Sequence, residues 1–138
     1  MAINQTTCTS FKVELLNGVH DFSSDTFKIA LYGAAGNIGA DTTVYSTTNE
    51  VSASGYTAGG NTLTVSTAPT SSSTIAYISF ANTSWSSALT ARGALIYNSS
   101  KSDKAVAVVD FGADKTSVNT FTVTFPPADA TSAIVRIS

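Results

Sequence analysis

Residues 28–39 read KIALYGAAGNIG, an apolar strand-like run that closes on Gly33, Gly36 and Gly39. Glycines after a strand are how a loop wraps a dinucleotide pyrophosphate, with backbone amides aimed at the anion. That chemistry also needs a helix directly after the glycines, its N-terminus facing the phosphates. The segment that follows, ADTTVYSTTNEV, is crowded with Thr and Ser and has no apolar helical spacing. The three glycines therefore read as turn residues that permit positive φ between strands. A second motif, Asp110-Phe111-Gly112, matches the metal-binding tripeptide of protein kinases, but a kinase needs a catalytic loop and a far longer chain. It reads as the end of a strand, with Asp110 and Gly112 making a turn.

The other chemistry-bearing residues are few. One His (His20) and one Cys (Cys8), twelve positions apart, cannot assemble a zinc site within one chain. A Ser-His-Asp arrangement would need His20 as its base, and beside Asp21 near a helix end it reads as a cap or surface residue. Asp21 with Asp25, or Asp103 with Asp110, would be the carboxylate pairs for glycoside hydrolysis. Carboxylates beside turns ordinarily bind local backbone instead. No loop of clustered oxygen ligands suggests calcium. No cofactor is expected. The aromatic residues remain: Trp85 in ANTSWSSALTARG, and Tyr32, Tyr45, Tyr56 and Tyr97 at strand ends or in loops. Such rings stack on sugars, anchor protein contacts or close one end of a core.

The elements that would position these groups are mostly strands. Only SFKVELLNGVHDF has helical spacing, with Phe11, Leu15, Leu16, Val19 and Phe22 on one face; a helix over about 10–17 is predicted. Thr9 or Ser10 is its expected cap and Asn17-Gly18 its expected end. Thereafter the period is two. TFKIALY, NTLTV, TIAYISF, ALIYN, KAVAVVDF, TFTVTF and AIVRIS read as strands. Between them lie the turn clusters SASGYTAGGN, APTSSS, NSSKSD, GADKTSVN and PPADATS. This predicts a mainly β fold, an antiparallel β-sandwich or jelly-roll-like barrel with one short N-terminal helix. Residues 1–138 form one domain, with an arm and helix over 1–22. Phe27, Ile29, Leu31, Ile75, Ile78, Leu95, Val106, Val108, Phe121, Val123 and Ile134 are the expected core. Residues 40–60 are the longest expected loop, and loops of that length are commonly functional.

Composition narrows the function classes. Only 12% of the 138 residues are charged, net charge is −2, and Ser with Thr makes up about 30%. The seven cations are scattered, so no patch prepares nucleic-acid binding. No signal peptide or membrane-spanning stretch is read, and the single Cys8 suits synthesis in a reducing compartment.

As whole phrases, FKVELLNGVHDFSSDTFKIALY, NEVSASGYTAGG, ARGALIYNSS and KAVAVVDFGADK resemble a family of small proteins encoded by tailed bacteriophages and prophages. The resemblance spans nearly the whole chain. It implies a virion component made in the bacterial cytoplasm, and by size and β content a head-decoration (cement) protein on the capsid surface. Its implied partners are the major capsid protein and further copies of the chain, as a dimer or trimer, with no nucleic acid and no membrane. No catalytic residue is carried over. Tyr45, Glu50, Tyr56 and Trp85 are the expected contact residues. The alternative is a tail or receptor-binding module that holds a host glycan through exposed aromatics such as Trp85. A small lysin would need a convergent acid/base pair, and none is read.

Overall fold

The computed structural model describes residues 3–138. In chain order the elements are β1 (Thr6–Thr7), α1 (Thr9–Leu16), β2 (Phe27–Tyr32), β3 (Asn61–Thr62), β4 (Val65–Ser72), β5 (Ile75–Phe80), β6 (Thr83–Trp85) and β7 (Thr90–Asn98). A short 3-10 turn (Ser99–Lys101), β8 (Lys104–Thr116), β9 (Phe121–Val123) and β10 (Val135–Ile137) follow. Strand accounts for 43% and helix for 8%. The fold is a β-sandwich, and its strand pairs are antiparallel. The first layer is a five-stranded sheet, β1-β8-β7-β2-β3. The second holds a three-stranded sheet, β10-β5-β4, and a two-stranded ribbon, β6-β9.

Aromatic rings join the layers. Phe22 stacks flat on Phe27 at 4.4 Å, and Phe80 of β5 meets Phe27 at 6.0 Å. Farther along, Phe121 sits between Trp85 at 6.3 Å and Phe111 at 5.9 Å. Of the expected core, Phe27, Ile29, Leu31, Ile78, Leu95, Val106, Val108, Phe121 and Val123 are buried. Ile75 and Ile134 are only half-buried, because Ile75 opens a strand and Ile134 precedes one at a sheet edge.

Helix α1 ends as its sequence requires. Gly18, at φ +72°, takes the left-handed conformation that lets a helix stop. Its N–H donates to Leu15 O and that of Val19 to Glu14 O, so the last carbonyls are satisfied. The start differs from expectation. Cys8, not Thr9 or Ser10, is the N-cap and makes no side-chain cap bond. Its thiol packs 3.7 Å from Gly39 O, and burial, then Glu14 and Asp41, push its pKa up to about 11. The expected apolar face is also corrected. Phe11 is buried and Leu15 half-buried, but Leu16 lies a further helical step round and is 91% exposed. Val19 and Phe22 lie beyond the Gly18 stop, so they belong to the following loop.

Two turn clusters prove to be strand. APTSSS lies largely within β4, an edge strand, with Pro69 inside the register shift between Thr67 and Thr70, where no ladder donor is missed. GADKTSVN continues β8 as far as Thr116. Asp110-Phe111-Gly112 is therefore not a turn. It sits at a register shift in β8, with Gly112 at φ +83°, which marks an extra-residue bulge. Asp110 accepts Gly112 N–H and pairs with Arg92, and these, in that order, hold its carboxyl below the usual range.

Candidate functional site

The long loop, 33–60, is not a projection from the sandwich. It crosses the outer face of the first sheet and extends both sides of it. On one side Tyr45 N–H donates to Asp103 O and Ala105 N–H to Thr43 O, lengthening the edge of β8 beyond β1. On the other, Glu50 pairs with Tyr32 and Val51 N–H donates to Leu31 O, lengthening the edge of β2 beyond β3. The glycines open this crossing. Gly36 N–H donates to Gly33 O at 2.9 Å, and no helix follows. Contrary to expectation, none of Gly33, Gly36 and Gly39 has positive φ. Gly36 is constrained by crowding instead, since a Cβ there would lie 3.0 Å from Gly33 O and 3.3 Å from Ile3 Cδ1.

Glu50 is the centre of the crossing. Its Oε1 accepts Tyr45 OH at 2.6 Å, and its Oε2 accepts Tyr56 OH at 2.6 Å and Gly59 N–H at 2.8 Å. Tyr56 OH in turn accepts Leu31 N–H at 2.8 Å, a sheet-edge donor that β3 is too short to reach. Tyr97 OH donates to Gly59 O, Tyr32 OH to Ser46 O, and the Tyr45 and Tyr97 rings stack at 4.6 Å. Burial, then the Glu50 carboxylate, holds the Tyr32, Tyr45 and Tyr56 phenols well above their ordinary range. Tyr97 is pushed up to about 12 by burial, then by Asp103 and Glu50. These hydroxyls stay protonated and donate. The constellation holds a loop down: every phenol proton in it and both carboxylate oxygens of Glu50 are engaged in internal hydrogen bonds.

Three of the four expected contact residues, Tyr45, Glu50 and Tyr56, are thus brought together, but facing one another. Tyr56 is 8% exposed and Trp85 4%, so the expectation that these two rings form a contact surface is corrected. Trp85 is part of β6, paired with Phe121 and 5.8 Å from Tyr56. Tyr45 and Glu50 are half-buried and already committed to internal bonds.

His20 is a second correction. Its side chain is 0% exposed. Nε2 lies 2.9 Å from Glu14 Oε1, and Nδ1 lies 3.0 Å from Asn98 Nδ2, so with Nε2 donating, Nδ1 accepts. Asn98 Nδ2 also donates to Asp25, while its Oδ1 accepts Ser100 N–H. Lys101 Nζ meets Asp25 Oδ1 at 2.9 Å. Both ring nitrogens are engaged inside the protein, so His20 has no open side for a substrate. The chain Glu14–His20–Asn98–Asp25–Lys101 ties α1, the loop before β2, and the β7–β8 connection into one unit. Asp25 loses some ionisation to burial but gains more from Asn98, Asp21 N–H and Lys101, and its pKa is lowered. Asp21 is lowered by Ser23 and Ser24. A glycosidase acid needs the opposite shift, so this pair is structural. Among the described residues, no three His, Cys, Asp or Glu side chains gather as a metal site.

What sequence inspection passed over is a distribution. Residues 51–91 and 116–128 contain no Asp, Glu, Lys, Arg or His. These runs supply β4, β5, β6 and β9, so the strands of the second layer carry one charge, Arg136 on β10. Ser66, Thr70, Ser72, Ser84 and Thr122 are exposed there, and Ser84 and Thr122 face each other across the ribbon. The signal was available as spacing between charges. Asn98 and Tyr97 had no comparable signal, because their partners lie 73–78 and 38 residues away. Comparison with family models, curated proteins and solved structures finds no match to this chain.

Proposed function

We propose that this chain is a structural component of a tailed-phage virion, a decoration protein that lies on the outer head and stabilises the shell. The observation that carries the reading is the uncharged, hydroxyl-coated surface of the second layer, set beside the resemblance of the chain's phrases to phage proteins. Depletion of charge is the compositional mark of a contact surface, because charged groups are costly to desolvate. Ser and Thr hydroxyls donate and accept, so they match the mixed backbone and side-chain groups of a capsid subunit. Of the groups offered for catalysis, His20, Asp21, Asp25 and Asp110 are spent on internal bonds. The receptor-binding alternative asked Trp85 to stack on a sugar, and a ring inside the sandwich is not placed for that.

The expected contact surface therefore moves from the 40–60 loop to β4 and the β6–β9 ribbon. Replacing Thr122 with Lys should abolish attachment to purified heads while the isolated chain keeps its melting temperature. Quantitative mass spectrometry of virions should give on the order of hundreds of copies, as icosahedral repetition dictates. About a dozen copies or fewer, or a location confined to the tail, would reject the decoration role.

A further inference from the structure

The sandwich is left open along one seam. Beyond β1, Gln5 Oε1 accepts Asp110 N–H, and among the described residues no strand follows it along the outer edge of β8. Across a cleft of about 470 Å³ lies β9, which pairs with β6 on one side and with no strand on the other. The register fixes which backbone groups of β9 look into the cleft. Phe125 N–H donates to Asn82 Oδ1 on the β6 side, and Asn61 Nδ2 reaches Ser84 O from the far side of β6. Trp85 therefore bonds Phe121 and Thr83 bonds Val123, while the N–H and C=O of Thr122 and Thr124 point away from β6. Both threonines line the cleft, and neither backbone has a partner among the described residues. The other edges of the second layer are guarded. Pro69 lies in β4, Arg136 in β10, and Asn61 covers β6. The β9 edge has neither proline nor charge, the features that ordinarily keep a sheet edge from recruiting another chain.

We propose that this seam takes an extended segment of a different protein chain, which joins the ribbon as its third strand. A row of backbone donors and acceptors is matched along its length only by another backbone. The floor of the cleft selects the side chains. Val109, Phe111 and Ile134 line it and remain half-buried, so the core is unfinished there. Alternate apolar side chains of an added strand would complete it. A cleft walled by β8 and β9 admits one extended segment, whereas a folded copy of this chain would have to bring its own sheet. Lys115 is the one charged side chain of the lining, and it has no ion-pair partner among the described residues. An acidic residue on the incoming strand answers it.

The probe is a short capped peptide of alternating valine and threonine with a glutamate at one end, added to the full chain and followed by amide hydrogen exchange. In the free chain the Thr122 and Thr124 amides should exchange fast, and excess peptide should slow them by about tenfold or more. The same peptide N-methylated throughout keeps its side chains but cannot donate, and should bind at least about tenfold more weakly. Thr122→Pro removes an N–H that the fold itself does not use, so it should keep the melting temperature and weaken the peptide likewise. Three results overturn the proposal: no binding at millimolar peptide, equal binding of the N-methylated form, or protection of the two amides by rising protein concentration alone, which would make a second copy the occupant. The inference does not need the decoration role. Heads that bind the chain while the peptide fails would leave that role standing and remove this one; peptide binding by a chain that ignores heads would do the reverse.

Discussion

The two layers of this sandwich are built on different terms. In the first, β2 and β7 are covered on both faces. Phe27, Ile29 and Leu31 look toward the second layer, while Ala30, Tyr32, Leu95 and Tyr97 lie beneath the 33–60 crossing. Polar groups in this layer are tied into two closed clusters, one around Glu50 and one through His20 and Asn98. The second layer has short or irregular strands, an edge strand broken by Pro69, and a surface of hydroxyls that bond little within the chain. The contrast teaches where tolerance lies. One layer spends its polar residues on holding itself together, and the other leaves them facing outward.

The sharpest way to break that contrast is to delete one ring from each layer. Phe27→Ala should cost toward the upper end of about 3–5 kcal/mol in denaturant unfolding, because Phe27 meets Phe22, Phe80 and His20 together. Phe121→Ala, in a three-residue strand, should fall at the lower end. Equal costs would mean that the ribbon is as firmly held as the central sheet. Next in size is Glu50→Ala, which strips the acceptor from Tyr45 OH, Tyr56 OH and Gly59 N–H at once. A loss of about 2–4 kcal/mol is expected, and a loss below about 0.5 would show that solvent replaces the carboxylate freely.

Alkali should act on the first layer before the second. Unfolded phenols ionise near pH 10, whereas those of Tyr32, Tyr45, Tyr56 and Tyr97 ionise higher in the native state. Stability from these groups is complete below about pH 10 and falls as pH rises beyond it. Phenolate absorbance should therefore rise together with unfolding; free titration in a folded chain would contradict the network. On the acid side, Asp25 is lowered, so its contribution holds above about pH 4 and is lost as pH falls through the native pKa. Asp25→Asn should flatten that acid loss in a pH series of melting curves. The smallest effect belongs to the second layer's surface, where Thr122→Lys should change stability by less than about 0.5 kcal/mol.

Most of the fold was legible because period-two alternation is a local signal. A helix over about 10–17, found at Thr9–Leu16, the strands β2, β7 and β8 and the Gly18 stop were readable from neighbours in the chain, whereas β1 at Thr6–Thr7 was not. The misreadings share a cause. Ala30 and Tyr32 were left out of the expected core because the cover over them comes from residues up to two dozen positions later. Pro69 and Gly112 looked like turns because a bulge and a turn use the same residue types, and only the partner strand distinguishes them. Tyr45, Glu50 and Tyr56 stood with Trp85 among the expected contact residues, and the structure turns the three toward one another. Aromatic residues in a polar loop give the same pattern whether they face a partner or their own sheet.

Closure of the crossing also has a reporter within the backbone. Leu31 N–H has Tyr56 OH as its acceptor and Ala105 N–H has Thr43 O, whereas the amides between β2 and β7 are paired strand to strand. Opening of the loop alone would expose these two amides to solvent and leave the β2–β7 ladder intact. Hydrogen exchange at Leu31 thus measures the free energy of a local opening, and exchange at Leu95 and Ile96 measures that of the sheet. The gap between the two values gives the share of native protection that belongs to the crossing alone.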